Sequence, residues 1–143
     1  MKRILFVCTG NYYRSRIAEI IFNHMADQQN LPANAFSRGL RLNPEKNIEK
    51  ISPHALPFLS FHRIPADNIG TATLLKATDL GRASYIVVMD EKEHRPMIRT
   101  LFPDWENKVE YWQLEDDYIV SPETMLPALK EKVEELVVTL KSA

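Results

Sequence analysis

The sequence predicts a three-layer α/β/α fold, a four-stranded parallel sheet flanked by helices, and three observations predict it. Short runs rich in β-branched and aromatic residues alternate along the chain with stretches of helical spacing, the order from which βαβ units are built. The first run, Ile4-Leu5-Phe6-Val7, is apolar without alternation, as an inner parallel strand buried on both faces is. The apolar period then lengthens from two to about 3.6 residues within one short loop.

Taken in order, residues 2–8 form the first strand. Residues 16–28 form a helix with Ile17, Ile20, Ile21 and Met25 on its buried stripe and Arg16, Glu19 and Asn23 off it. A second short strand spans 34–40, and the polar stretch 41–50, with Pro44 and no period, is a loop. Ser52-Pro53 opens a helix with serine as N-cap and proline at the first helical position, where its missing N–H is not needed. A short helix is expected over 74–80. Tyr85-Ile86-Val87-Val88 is the heart of a strand over 84–89. Residues 91–101 read as a helix despite Pro96, and 109–114 as a fourth strand. Ser121-Pro122 repeats the cap signature and starts a long last helix that buries Leu126, Leu129, Val133, Leu136, Val137 and Leu140. Ligands of such sheets bind beyond the carboxyl ends of the strands, and the first strand ends at Cys8.

At 143 residues the chain is expected to be a single domain, 1–143, long enough to bury a core without disulfides or metal. Its 18 basic and 19 acidic side chains leave a net charge of −1, so it lacks the basic field that draws proteins to nucleic acid. The apolar run at 4–7 is too short for a signal-peptide core or a membrane span, and a cytoplasmic protein without a membrane partner is expected. A single cysteine cannot form an internal disulfide, and is either a small buried hydrophobe or a reactive centre.

The surroundings of Cys8 favour the second. The loop Cys8-Thr9-Gly10-Asn11-Tyr12-Tyr13-Arg14-Ser15 joins strand to helix, so its amides can form a nest for a phosphate beside the positive end of the helix. Gly10 and Asn11 are the residues best suited to the left-handed conformations such a turn needs. Arg14 offers a planar fork for two phosphate oxygens. A helix N-terminus and a nearby cation lower a thiol from about 8.5 to roughly 3.5–7.5, which gives a thiolate without a histidine base. Ser15 can cap the helix and point its hydroxyl at the sulfur.

Val7-Cys8-Thr9-Gly10-Asn11 with Arg14-Ser15 resembles the signature of the low-molecular-weight protein tyrosine phosphatases, at the N-terminal position where that family carries it. The likeness continues in Ser37-Arg38-Gly39, similar to the family's Ser-x-Gly after the second strand, in residues 83–90 ending in Met89-Asp90, and in residues 112–118, similar to its acid loop. The resemblance implies a cysteine-dependent phosphatase with a phosphocysteine intermediate, catalytic Cys8 and Arg14, and a phosphate cradle of Thr9, Gly10, Asn11, Tyr12, Tyr13, Arg14 and Ser15. It implies Ser37 as a brace for Asn11, and Tyr12 and Tyr118 as walls for a phenyl phosphate. Substrates would be phosphotyrosine proteins or small aryl and alkyl phosphates, with inorganic phosphate as product. Gly70 stands near where many relatives carry a polar residue supporting the loop.

Expulsion of an alkoxide or phenoxide calls for a carboxylic acid, and Glu115, Asp116 and Asp117 follow the fourth strand on the same edge of the sheet as Cys8. The family's Asp-Pro-aromatic pattern, matched to Asp116-Asp117-Tyr118, makes Asp116 the acid and puts Asp117 where proline normally stands. Losing that proline frees a backbone angle. Tyr13 stands where relatives often have a second cysteine, so peroxide should drive Cys8 beyond rescue by thiols. His24, His54, His62 and His94 have no ligand spacing and receive no role; neither metal nor cofactor is expected. Two other functions fit the same loop: a glutathione-coupled arsenate reductase, and an oxyanion-binding module impaired in catalysis by its altered acid loop.

Overall fold

The computed structural model describes residues 1–66, 69–117 and 119–142. Its sheet has the order β2-β1-β3-β4, with β1 Lys2–Cys8, β2 Ala33–Gly39, β3 Tyr85–Val88 and β4 Glu110–Tyr111, all parallel. β1 pairs along its whole length with β2, from Lys2 opposite Ala33 to Cys8 opposite Gly39, and on its other edge with β3. The helices are α1 Arg14–Gln28, α2 Leu56–Phe61, α3 Ala77–Arg82, α4 Glu91–Leu101 and α5 Pro122–Ser142.

The pleat of β1 divides the core. Ile4, Phe6 and Cys8 point to one face, where α1, α2 and α5 bury Ile17, Ile21, Leu59, Leu129 and Val133. Leu5 and Val7 point to the other, where Leu80 of α3 and Ile98 of α4 cover them. The unalternating first strand thus has apolar cover on both sides, and the chain forms the three layers its sequence predicts.

Several boundaries differ from expectation, each for a local reason. The first helix begins at Arg14 instead of 16, and Arg16, expected off the buried stripe, is only 3 % exposed. Its guanidinium turns inward to bond the carbonyls of Lys50 and Gly70, tying two loops to α1. At Ser52-Pro53 a 3-10 turn over Pro53–Ala55 precedes α2, with the Ser52 hydroxyl accepting from the His54 amide at 3.3 Å. The helix expected at 74–80 covers Ala77–Arg82, because Leu74 forms a bridge to Gly39 and the Asp79 carboxylate accepts the Lys76 amide at 3.0 Å. The fourth strand keeps only Glu110 and Tyr111, since β3 stops at Val88; Gln113 then bridges antiparallel to Asp90. No helix among the described residues is long and apolar enough to cross a membrane.

Candidate active site

Cys8 ends β1, and its loop is fastened to the neighbouring strand by the amides of Leu40 and Arg41, which donate to the carbonyls of Cys8 and Thr9 at 2.9 and 2.8 Å. Gly39 lies directly beneath: a β-carbon there would meet the Thr9 carbonyl oxygen at 2.8 Å and the Asn11 amide nitrogen at 2.9 Å. Only glycine lets the loop settle this low.

Asn11 holds the turn together. It takes the left-handed conformation, φ 51°, whereas Gly10, expected to share that role, does not. The tight neighbour of Gly10 is instead the Asn47 side-chain nitrogen, 3.1 Å from where a β-carbon would stand. Fully buried, Asn11 accepts the Thr73 amide at 2.8 Å on Oδ1, which leaves Nδ2 to donate to Ser15 at 3.0 Å and to Ser37 at 2.8 Å. Ser37 in turn donates to Glu19 at 2.5 Å, and burial pushes the Glu19 carboxyl up despite that bond. Gly70 has no side chain to support the loop, and the Thr73 backbone amide braces Asn11.

Because Asn11 donates to Ser15, the Ser15 hydroxyl keeps its hydrogen for the Cys8 sulfur, 2.9 Å away. Ser15 does not cap the helix; the N-cap is Tyr13, which makes no side-chain capping bond, and the first turn carries no acidic residue. The opening amides of α1 therefore face the loop without a side-chain acceptor from the N-cap.

Arg14 is 2 % exposed, and its orientation is fixed by a residue the sequence did not single out. Nη1 and Nη2 donate to the two oxygens of Glu93 at 3.0 Å each, Nη1 also to the Leu114 carbonyl at 3.0 Å. Asp116 Oδ2 lies 3.5 Å from Nη2. Burial works against the charge of Arg14, but Glu93, Cys8 and Asp116 together raise its pKa. Glu93 also accepts from Thr9 at 2.5 Å and lies 3.1 Å from His94 Nε2. Burial alone would raise the Glu93 carboxyl; the bonds from His94, Arg14 and Thr9 overcome it and hold it far below the usual carboxylate range.

Beside the sulfur opens a cleft of about 460 Å³ lined by Cys8, Tyr12, Tyr13, Arg14, Asp116 and Asp117, together with Arg41, Lys46 and His54. Asp116 Oδ1 accepts the Asp117 amide at 2.8 Å, while the Asp117 carboxylate leans outward to 3.9 Å from His54. Glu115 lines a different hollow, with Asp90 and Glu91. Of the three acids, Asp116 is the one set against Arg14. The Tyr12 hydroxyl donates to Glu49 at 2.5 Å, and burial with that carboxylate pushes it up to about 12. Tyr13 is buried, its hydroxyl without a partner among the described residues, and burial, with Asp117 and Asp116, raises it further. Tyr118, expected as a second wall, lies outside the described residues.

The structure brings together Cys8, Asn11, Arg14, Ser15 and Ser37, which the sequence singles out, and adds Glu93, Thr73 and His94, which it does not. A signal for Glu93 existed: it stands in the first turn of the helix after a parallel strand, which the topology brings to the edge where Cys8 lies. Among the described residues, no cluster of histidine, cysteine and carboxylates suits a metal ion.

This fold and loop define a class of α/β proteins that can hold a tetrahedral oxyanion over a cysteine sulfur. The family model described as low molecular weight phosphotyrosine protein phosphatase matches residues 3–143, and the chain belongs to that family. A protein-arginine phosphatase of Bacillus subtilis is 31% identical over 109 residues, 74% of this chain and 67% of its own length. The low molecular weight phosphotyrosine protein phosphatase of Sus scrofa is 31% identical over 98 residues, 68% of this chain but 61% of its own length. The solution structure of a low molecular weight protein tyrosine phosphatase from Bacillus subtilis superposes with a TM-score of 0.79 at 25% identity, covering 98% of this chain and 97% of that one.

Proposed function

We propose that this chain is a phosphomonoesterase, a protein tyrosine phosphatase working through a phosphocysteine on Cys8. The observation that carries the reading is the convergence of Cys8, Ser15 and Arg14 beneath one cleft with Asp116 at its side. In the first step the Cys8 thiolate attacks phosphorus and the ester P–O bond breaks, Asp116 giving its proton to the departing oxygen. In the second, Asp116 takes a proton from water as that water attacks phosphorus, and the S–P bond breaks to release inorganic phosphate. The Ser15 hydroxyl donates to the sulfur as it leaves with its electron pair, and Arg14 spans two equatorial oxygens throughout. No cofactor or metal enters these steps.

Tyr12, held by Glu49, supports an aromatic substrate, since its ring can flank a phenyl group at the cleft. A second reading, hydrolysis of the P–N bond of phosphoarginine, is favoured by the name and 31% identity of the bacterial relative. The whole chain acts as one domain, in the cytoplasm, where its single thiol stays reduced.

The test is turnover of an aryl phosphate, a phosphotyrosine peptide and a phosphoarginine peptide by the wild type, Cys8→Ser, Asp116→Asn and Asp117→Asn. Cys8→Ser should be inactive, and Asp116→Asn should lose about 10²–10⁴-fold while Asp117→Asn loses less. Reversed rank of the two aspartates would reassign the acid. Reduction of arsenate with glutathione, or tight phosphate binding without turnover of any ester, would replace the phosphatase reading by the reductase or the binding module.

A further inference from the structure

The geometry points to Glu93, held by Thr9 and His94, as the positioning residue that sets Arg14 for its oxyanion before substrate arrives. This inference rests on the reading of Arg14 as the phosphate-binding residue. A guanidinium has five N–H groups. Glu93 takes one from each terminal nitrogen in a fork-to-fork pair at 3.0 Å, and the Leu114 carbonyl takes another from Nη1. Among the described residues, what remains without a hydrogen bond is the edge made by Nε and the second hydrogen of Nη2, with Asp116 Oδ2 3.5 Å from Nη2; this is the bidentate edge that two phosphate oxygens need. Glu93 therefore occupies the end of the guanidinium that the anion does not use, and turns the useful edge into the cleft.

The carboxylate is itself held from two other directions. Thr9 donates to Oε2 at 2.5 Å. His94, fully buried in the first turn of α4, accepts the Asp90 amide on Nδ1 at 3.1 Å. With Nδ1 an acceptor, the neutral ring carries its proton on Nε2, which lies 3.1 Å from Glu93 and 3.0 Å from Thr9. Since Thr9 follows Cys8 and Arg14 closes the loop, one side chain from α4 fastens both ends of the cradle.

A carboxylate this close to the cleft could instead act as a competing anion that repels phosphate. The two roles predict opposite results. The experiment measures phosphate inhibition and aryl phosphate kinetics for the wild type, Glu93→Gln, Glu93→Ala and Glu93→Asp. Positioning predicts that phosphate inhibits all three variants about tenfold or more weakly, with kcat/KM reduced by at least as much. Glu93→Asp is included because it keeps the charge but withdraws it by one methylene. The inference is overturned if Glu93→Gln or Glu93→Ala binds phosphate as tightly as the wild type or more tightly, or if Glu93→Asp matches the wild type. An inactive wild type, or an active Cys8→Ser, would sink the phosphatase reading itself and is told apart by those controls.

Discussion

At Gly39 the space for a β-carbon is already taken by backbone, the Thr9 carbonyl at 2.8 Å and the Asn11 amide at 2.9 Å, and neither can swing aside as a flexible side chain would. Gly39→Ala should therefore lift the loop, costing about 1–3 kcal/mol of stability in urea unfolding and weakening phosphate inhibition in the same variant. Unchanged inhibition would mean the loop does not rest on this residue. Tyr13 gives a second prediction. No other thiol exists in the chain to capture an oxidised Cys8, and the tyrosine at the place of a second cysteine is buried beside it. Prolonged peroxide should then carry the sulfur to sulfinic acid, seen as a mass gain of two oxygens and as activity that dithiothreitol fails to restore. What was legible at this scale was local. Cys8, Asn11, Arg14 and Ser15 stand within eight positions of one another, and Ser37-x-Gly39 is a short pattern. The Arg14–Glu93 pair spans 79 positions, and nothing in the spacing of either residue announces the other.

Among the elements, α1 starts with an N-cap that makes no side-chain bond and without an acidic first turn. The missing acceptor is one that an oxyanion can supply, so phosphate or vanadate should stabilise the fold as a capping group does. At 100 times its dissociation constant the gain is about 2.7 kcal/mol, which for a chain of this size raises Tm by about 8 °C. The same measurement on Arg14→Ala should show little shift; an equal rise in both would place the anion elsewhere. The helices themselves were largely readable, α4 to the residue despite Pro96, because one amphipathic stripe determines each. The errors fell where tertiary pairing overrode propensity. Leu74 was claimed by Gly39, and a β3 of four residues left β4 only Val87 and Val88 to pair with.

For the molecule as a whole, the sheet order puts β1 in the middle, with the chain crossing first to β2 and later to β3 and β4. Every part of the candidate site follows from that one reversal: Cys8 ends β1, Gly39 ends β2, Glu93 follows β3 and Asp116 follows β4. This edge can be read from the alternation of strands and helices, so the sequence places Cys8 and Asp116 on it together, whereas the Arg14–Glu93 pair is not legible in the spacing. The two tryptophans test whether the layers behave as one unit. Trp112 is buried in the core beneath α1 and α5, and Trp105 packs against the core on the opposite face of the sheet. Urea unfolding of Trp105→Phe and Trp112→Phe, each followed by fluorescence and far-UV circular dichroism, should give coincident midpoints within each variant. A fluorescence transition that precedes the loss of helix in either would split the chain into separately melting parts.

The bare opening turn of α1 bears on how such a protein would work in a living cell. Amides left without an N-cap acceptor are open to a free oxyanion as well as to a phosphoester, so on the phosphatase reading the ion released by each turnover would also be a ligand for the site that made it. Ambient orthophosphate would then act as a standing brake, and the catalyst would run fastest where that ion is scarce.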